Sequence, residues 1–144
     1  MATKHYKPYQ NKIRRLTLFK EKALIQKYFN GFKCIVMDDS LICTGIIQPT
    51  DFSLKYKIKI IYETYDNPKV YIKDPKIPYN KEIHMYEDTR LCLYFPEDNS
   101  WNWTMNLHET IIPWTAEWLI FYELYQITGN WEHPAVSHTG TKIE

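Results

Sequence analysis

Apolar positions fall into distinct rhythms along the chain. Ile13, Leu16, Phe19, Ala23 and Leu24 recur at steps of three and four among charged neighbours, the spacing of an amphipathic helix that ends near Asn30-Gly31. After Gly31 the period shortens. KCIVM and LICTGIIQ flank the polar Asp38-Asp39-Ser40, which reads as two short strands around a turn. Counting outward from a two-residue Asp38-Asp39 loop sets Met37 opposite Ser40 and Cys34 opposite Cys43. Pro49-Thr50-Asp51 then breaks the chain before SLKYKIKIIYET, where Leu54, Tyr56, Ile58, Ile60 and Tyr62 alternate with Lys55, Lys57 and Lys59, so one face is core and the other wet. Asp66-Asn67-Pro68 supplies a further turn, KVYIK a fourth short strand, and the prolines between Asp74 and Asn80 forbid regular structure. From Lys81 to Thr110 the chain is polar, aromatic and aperiodic, as functional loop regions are. Pro113 opens a second helix running to about Thr128, with Gly129 as its stop and apolar residues around nearly its whole circumference. The pattern predicts an α+β fold: an N-terminal helix, a four-stranded antiparallel meander, a long loop and a buried crossing helix.

The length of 144 residues suits one domain, 1–144, with its core over about 12–128 and short polar tails. Charge narrows the partners. Eighteen basic and seventeen acidic residues leave +1, so no global field marks nucleic acid or an anionic membrane, and any recognition is local. Lys4, Lys7, Lys12, Arg14 and Arg15 with Tyr6 and Tyr9 are read as a solvated helix start rather than a nucleic-acid patch. MATKHYKPYQNKIRR holds no apolar run suited to a signal peptide, and IIPWTAEWLIFYELYQI is interrupted by Glu117 and Glu123, short of the ~20 apolar residues of a membrane span. A cytoplasmic location is expected.

Chemistry centres on cysteine. Cys34, Cys43 and Cys92 form neither an even secretory framework nor a paired zinc motif. Cys34 and Cys43 lie within strand patterns and read as structural, with a disulfide disfavoured in a reducing compartment. Cys92 instead lies in the aperiodic stretch HMYEDTRLCLYFPED. A thiol there suits acyl acceptance, because a thioester keeps the acyl carbon reactive towards a later amine; its bland alternative is a small buried residue of LCLYF. His84 is read first as loop scaffold and second as an acid or base. Asp98, beside Glu97, can take a proton from an incoming amine, although Pro-Glu-Asp-Asn is also an ordinary turn. Trp101 and Trp103 alternate, placing one in the core and the other over the loop. His108, His133 and His138 lack the close spacing of a zinc module, so neither metal nor other cofactor is expected.

These segments, in this order, resemble the ubiquitin-conjugating enzyme (UBC-like) family over roughly Lys12 to Thr128. Tyr65-Asp66-Asn67-Pro68-Lys69-Val70 is similar to the family's Tyr-Pro-x-x-Pro-Pro-x-Val passage, Arg90-Leu91-Cys92-Leu93 to its Gly-x-Ile-Cys-Leu run, and Trp101 or Trp103 with Thr104 to its Trp-Ser-Pro segment. His84 departs from the family's His-Pro-Asn: it stands eight residues before the cysteine and is followed by Met85-Tyr86. The asparagine that would serve the oxyanion is therefore open among Asn80, Asn99 and Asn102. With few residues after the second helix, and with the tail Gly129-Asn130-Trp131-Glu132-His133-Pro134 through His138, the chain looks most like the compact bacterial members of short type II cyclic-oligonucleotide antiviral signalling (CBASS) systems. The resemblance implies a transferase that holds the C-terminus of a cGAS-like nucleotidyltransferase on Cys92 as a thioester and passes it to an amine. The other outcome is a catalytically silent adaptor. The first helix is the natural docking face for a protein partner.

Overall fold

The computed structural model describes residues 6–64, 66–94 and 100–133. Helix α1 spans Tyr6–Tyr28, followed by strands β1 Lys33–Met37, β2 Ser40–Ile47, β3 Tyr56–Glu63 and β4 Lys69–Asp74, a short 3-10 turn at Lys81–Ile83, and helix α2 Ile111–Thr128. The four strands pair antiparallel in sequence order, as the turn signals predict. The β1–β2 register is Met37 with Ser40, Val36 with Leu41, Ile35 with Ile42 and Cys34 with Cys43, the pairing counted from the Asp38-Asp39 turn. Asp38 takes a positive φ of 54° there, a conformation aspartate tolerates better than most residues.

Alternation decides the core side. Tyr56, Ile58, Ile60 and Tyr62 are buried while Lys57 is exposed, and Leu41, Cys43 and Val70 join them from the neighbouring strands. Leu54 precedes β3 and is exposed. Gly45 lies under the Phe32 ring, whose atoms would come within 2.4 Å of an added Cβ, so the ring occupies the space a side chain would need. Helix α2 contributes Ile111, Ile112, Trp118 and Leu119. Pro113 is its third residue, still in the first turn where no backbone donor is lost. Gly129 caps the helix at φ 78° with its N–H on the Tyr125 carbonyl. The apolar circumference is buried only in the first half, for Leu124 and Ile127 are exposed near the end.

Helix α1 departs from the expected face. Ile13, Leu16 and Phe19 are exposed, whereas Leu18, Glu21 and Ile25 are buried. The buried stripe contains a glutamate, and for that reason it is invisible to a search for apolar periodicity. Glu21 accepts the buried Leu107 N–H at 2.8 Å, supplying a partner to a backbone donor just before α2. The same turn is gripped by His108, whose ring stacks on Tyr28 at 4.7 Å. Helix α1 also shields the open edge of the sheet: Gln26 accepts the Cys34 N–H at 3.2 Å, and Arg15 donates to the Asp38 carbonyl at 2.6 Å.

Burial raises the Glu21 carboxyl above its ordinary value, against the opposing Leu107 hydrogen bond. With the folded value raised, the stabilisation linked to its proton is present below the ordinary glutamate range and is lost as pH rises through the folded value. Glu21→Gln keeps the acceptor and removes the desolvated charge. We expect it to be more stable than the parent at pH 8, with the advantage shrinking towards pH 4. Glu21→Ala orphans the Leu107 N–H and should cost about 1–3 kcal/mol. Urea titrations at the two pH values check both outcomes.

Candidate thiol site

Cys92 is placed by a small hairpin. Met85 bridges Leu91 antiparallel, the Cys92 N–H donates to the His84 carbonyl at 2.9 Å, and Tyr86 and Arg90 close the turn with Tyr86 N–H on Arg90 O at 2.9 Å. Asp88 shapes the turn by accepting the Arg90 N–H at 3.1 Å. Two residues flanking or within the hairpin have left-handed backbones: His84 at φ 56° and Thr89 at φ 70°. For a β-branched threonine this is a costly conformation, of order ~1–3 kcal/mol, held by the surrounding hydrogen bonds. The Leu91 N–H reaches the Val70 carbonyl at 2.9 Å, which fastens the hairpin to β4.

The base of the hairpin is anchored to α2. Trp118 donates its indole N–H to the Ile83 carbonyl at 3.1 Å. Asn80 uses both ends of its side chain, accepting the Glu82 N–H at 2.9 Å and donating to the Tyr125 hydroxyl at 3.2 Å. Asn80 is therefore a cap and a helix contact, and its hydrogen bonds go to Glu82 and Tyr125 and not to Cys92. Asn102 accepts from the Thr104 N–H at 3.0 Å and from the Thr104 hydroxyl, so it too is committed to its own turn. Asp98 and Asn99, with Glu97, lie outside the described residues. His84 is buried, stacks on Trp131 at 5.9 Å between centroids and gives its carbonyl to Cys92, which is a scaffold position. Trp101 is buried edge-on to Tyr62 with its N–H on the Thr110 hydroxyl, while Trp103 is exposed. No group of three metal-binding side chains converges among the described residues; His133 pairs instead with Glu117 at 3.2 Å.

Among the described residues, two oxygens stand around the Cys92 sulphur. The Tyr94 carbonyl is 3.6 Å away and can only accept, and the Tyr86 hydroxyl is 3.7 Å away. The thiol hydrogen can therefore go to Tyr94, leaving Tyr86 to donate to sulphur. The Arg90 guanidinium lies over the Tyr86 ring at 4.3 Å and pairs with Asp88 at 3.5 Å, and Tyr71 donates to the other Asp88 oxygen at 3.4 Å. A narrow cleft of about 30 Å³, roughly the room of one water, is lined by residues including Asn67, Pro68, Tyr86, Arg90 and Tyr94. Cys92 is 9% exposed. Burial pushes its thiol up from the ordinary value; the Tyr86 hydrogen bond and the Arg90 charge pull it partly back. Burial likewise pushes the Tyr86 phenol up to about 12, with the nearby Cys92 adding to the shift, so it is a neutral donor throughout the physiological range.

Sequence reasoning passed over Tyr86. Its signal was the triplet His84-Met85-Tyr86, whose last member stands two residues after the histidine, as the asparagine does in the family's His-Pro-Asn. The Cys34–Cys43 pair also behaves unlike inert filler. Cys34 and Cys43 are register partners, and their interaction lowers the Cys34 value and, together with burial, raises that of Cys43. Cys34 is also half-buried, whereas Cys43 is fully buried and all three thiols are free.

These environments order the thiols. In the folded protein at pH 7.5 we expect iodoacetamide to modify Cys34 first, Cys92 more slowly and Cys43 last, with Cys92 accelerating as pH rises beyond 9 because its thiolate forms late. Peptide mapping of timed reactions reads the order.

A family model described as Type II CBASS E2 protein matches residues 21–139, a span that contains the sheet, the hairpin and α2. A comparison with curated proteins found no match.

Proposed function

The chain belongs to the type II CBASS E2 family, and from that membership, which gives it an E2-like role in CBASS systems, we propose that Cys92 is an acyl-carrying thiol. In this reading Cys92 takes the C-terminal carbonyl of a partner, a cGAS-like nucleotidyltransferase, as a thioester and passes it to an amine, priming antiphage signalling. The observation that carries the proposal is the strained hairpin holding one cysteine beside a neutral phenol donor within a family of conjugating type. Thioester chemistry fits such a thiol because sulphur both attacks well and leaves well. The cytoplasm is the compartment where that partner and a reduced thiol would coexist. No helix among the described residues is long and apolar enough to cross a membrane.

One observation favours a second reading. A thiol only 9% exposed, with its pKa raised by burial, also suits a catalytically silent adaptor that keeps the fold and binds a partner.

Co-expression with a cGAS-like nucleotidyltransferase of a type II CBASS system separates the two. We expect the parent to carry an adduct of the partner's mass that thiols release, Cys92→Ser to trap a thiol-resistant ester, and Cys92→Ala to carry none. No adduct from the parent, together with full antiphage protection by Cys92→Ala, leaves the adaptor.

A further inference from the structure

We propose that Tyr86 is the hydrogen-bond donor of the thiol site, serving the Cys92 sulphur while it is a thiolate and the carbonyl oxygen of its acyl group while that oxygen carries negative charge. The inference deepens the acyl-transfer reading above and rests on it for the second half of this role.

Around the sulphur, the Tyr94 oxygen is a carbonyl and the Tyr86 oxygen a hydroxyl, so among the described residues Tyr86 is the one with a proton to offer. The amide side chains that sequence resemblance brings forward are bound elsewhere within the described residues: Asn80 to Glu82 and Tyr125, Asn102 to Thr104. The His84 carbonyl is an acceptor, already taken by the Cys92 N–H. Tyr86 is also fixed in place, since its own N–H is bonded to Arg90 O, its carbonyl takes the Thr89 N–H, and its ring lies under the Arg90 guanidinium. A donor that does not have to be reoriented at the moment of reaction is worth most, particularly where water is excluded.

The distance suits both states. At 3.7 Å from sulphur the hydroxyl makes a long bond to a thiolate. An acyl oxygen on that sulphur lies one carbon further out, and rotation about the S–C bond can bring it to the roughly 2.7–3.1 Å that an oxyanion donor needs. In the transfer step the amine nitrogen forms a bond to the carbonyl carbon, and the carbonyl π pair moves onto oxygen, where Tyr86 O–H donates. Collapse restores the carbonyl and breaks the C–S bond, Cys92 leaves as a thiolate, and the nitrogen's surplus proton passes to solvent. The phenol keeps its proton throughout. Arg90 acts through Tyr86: its positive charge over the ring favours electron density withdrawn from the hydroxyl, which makes the O–H a better donor.

Tyr86→Phe tests this in the full-length protein, because the ring that Arg90 covers is retained and only the hydroxyl is lost. In a Cys34→Ser background, acyl-Cys92 is prepared by exchange with a small peptide thioester, so loading needs no partner, and discharge to hydroxylamine or lysine is followed in a single turnover. In parallel, the pH profile of Cys92 alkylation is measured in a Cys34→Ser background. The charged and titratable groups facing the sulphur, Tyr86, Tyr94 and Arg90 with its partner Asp88, are otherwise unchanged. We expect the variant to load, to discharge about a hundredfold more slowly, and to show its alkylation midpoint moved to higher pH. Discharge within twofold of the parent overturns the proposal, whatever the midpoint does. If the parent itself cannot be loaded, the acyl-transfer reading fails and the alkylation profile decides the donor: an upward shift supports Tyr86, and an unmoved midpoint overturns it.

Discussion

A buried backbone carbonyl or N–H without a partner costs about as much as a lost hydrogen bond, and this constraint governs the part of the molecule that holds Cys92. Residues 75–94 run beside the sheet with only a 3-10 turn and one bridge of their own. Their polar backbone groups are satisfied one at a time, some from outside and some within the segment. Trp118 reaches the Ile83 carbonyl, Val70 takes the Leu91 N–H, and Cys92 closes on His84. The first two come from α2 and β4, so the position of the thiol depends on both being docked correctly at once. The same logic explains Glu21. A charged residue in the buried stripe of α1 is tolerated because Leu107 offers a buried N–H with no ladder to join.

The strands and their register were legible because their signals are local. Period-two alternation and a two-residue turn fix pairing within a few residues, and the Cys34–Cys43 match follows from counting alone. The end of α2 was legible for a similar reason, since Gly129 is the residue type that tolerates a left-handed cap. The buried face of α1 was not. Apolar spacing selected Ile13, Leu16 and Phe19, but burial follows what the helix meets, and it meets the sheet with Leu18 and Ile25 around a glutamate whose partner lies 86 residues away. Long-range satisfaction of a polar group leaves no periodic trace.

The site shows the same division. The aperiodic stretch and its cysteine stand out in sequence, and the order of segments resembles one family. The donor beside the thiol does not stand out, because a search for an amide passes over a phenol. Which side chain reaches Cys92 depends on a hairpin of seven residues, 85–91, closed by Thr89 in a conformation that favours glycine. Asn80, the nearest upstream amide in sequence, is turned to α2 by its capping role.

Burial and reactivity oppose one another at Cys92, and on the acyl-transfer reading the resolution lies in the direction of transfer. A desolvated thiol with a raised pKa forms little thiolate at neutral pH, though what forms is strongly nucleophilic; the same high pKa makes it a poor leaving group once acylated. For a carrier that must give its acyl group away, departure is the step that needs help. The two groups that lower the Cys92 value, Tyr86 by hydrogen bonding and Arg90 by charge, favour sulphur with a negative charge, which is the sulphur that leaves. A low-dielectric surround strengthens both interactions while keeping water from competing for the thioester. On the acyl-transfer reading, then, the burial that slows loading also protects the loaded form, and Tyr86 with Arg90 acts where burial does the most harm, at the breaking of the C–S bond.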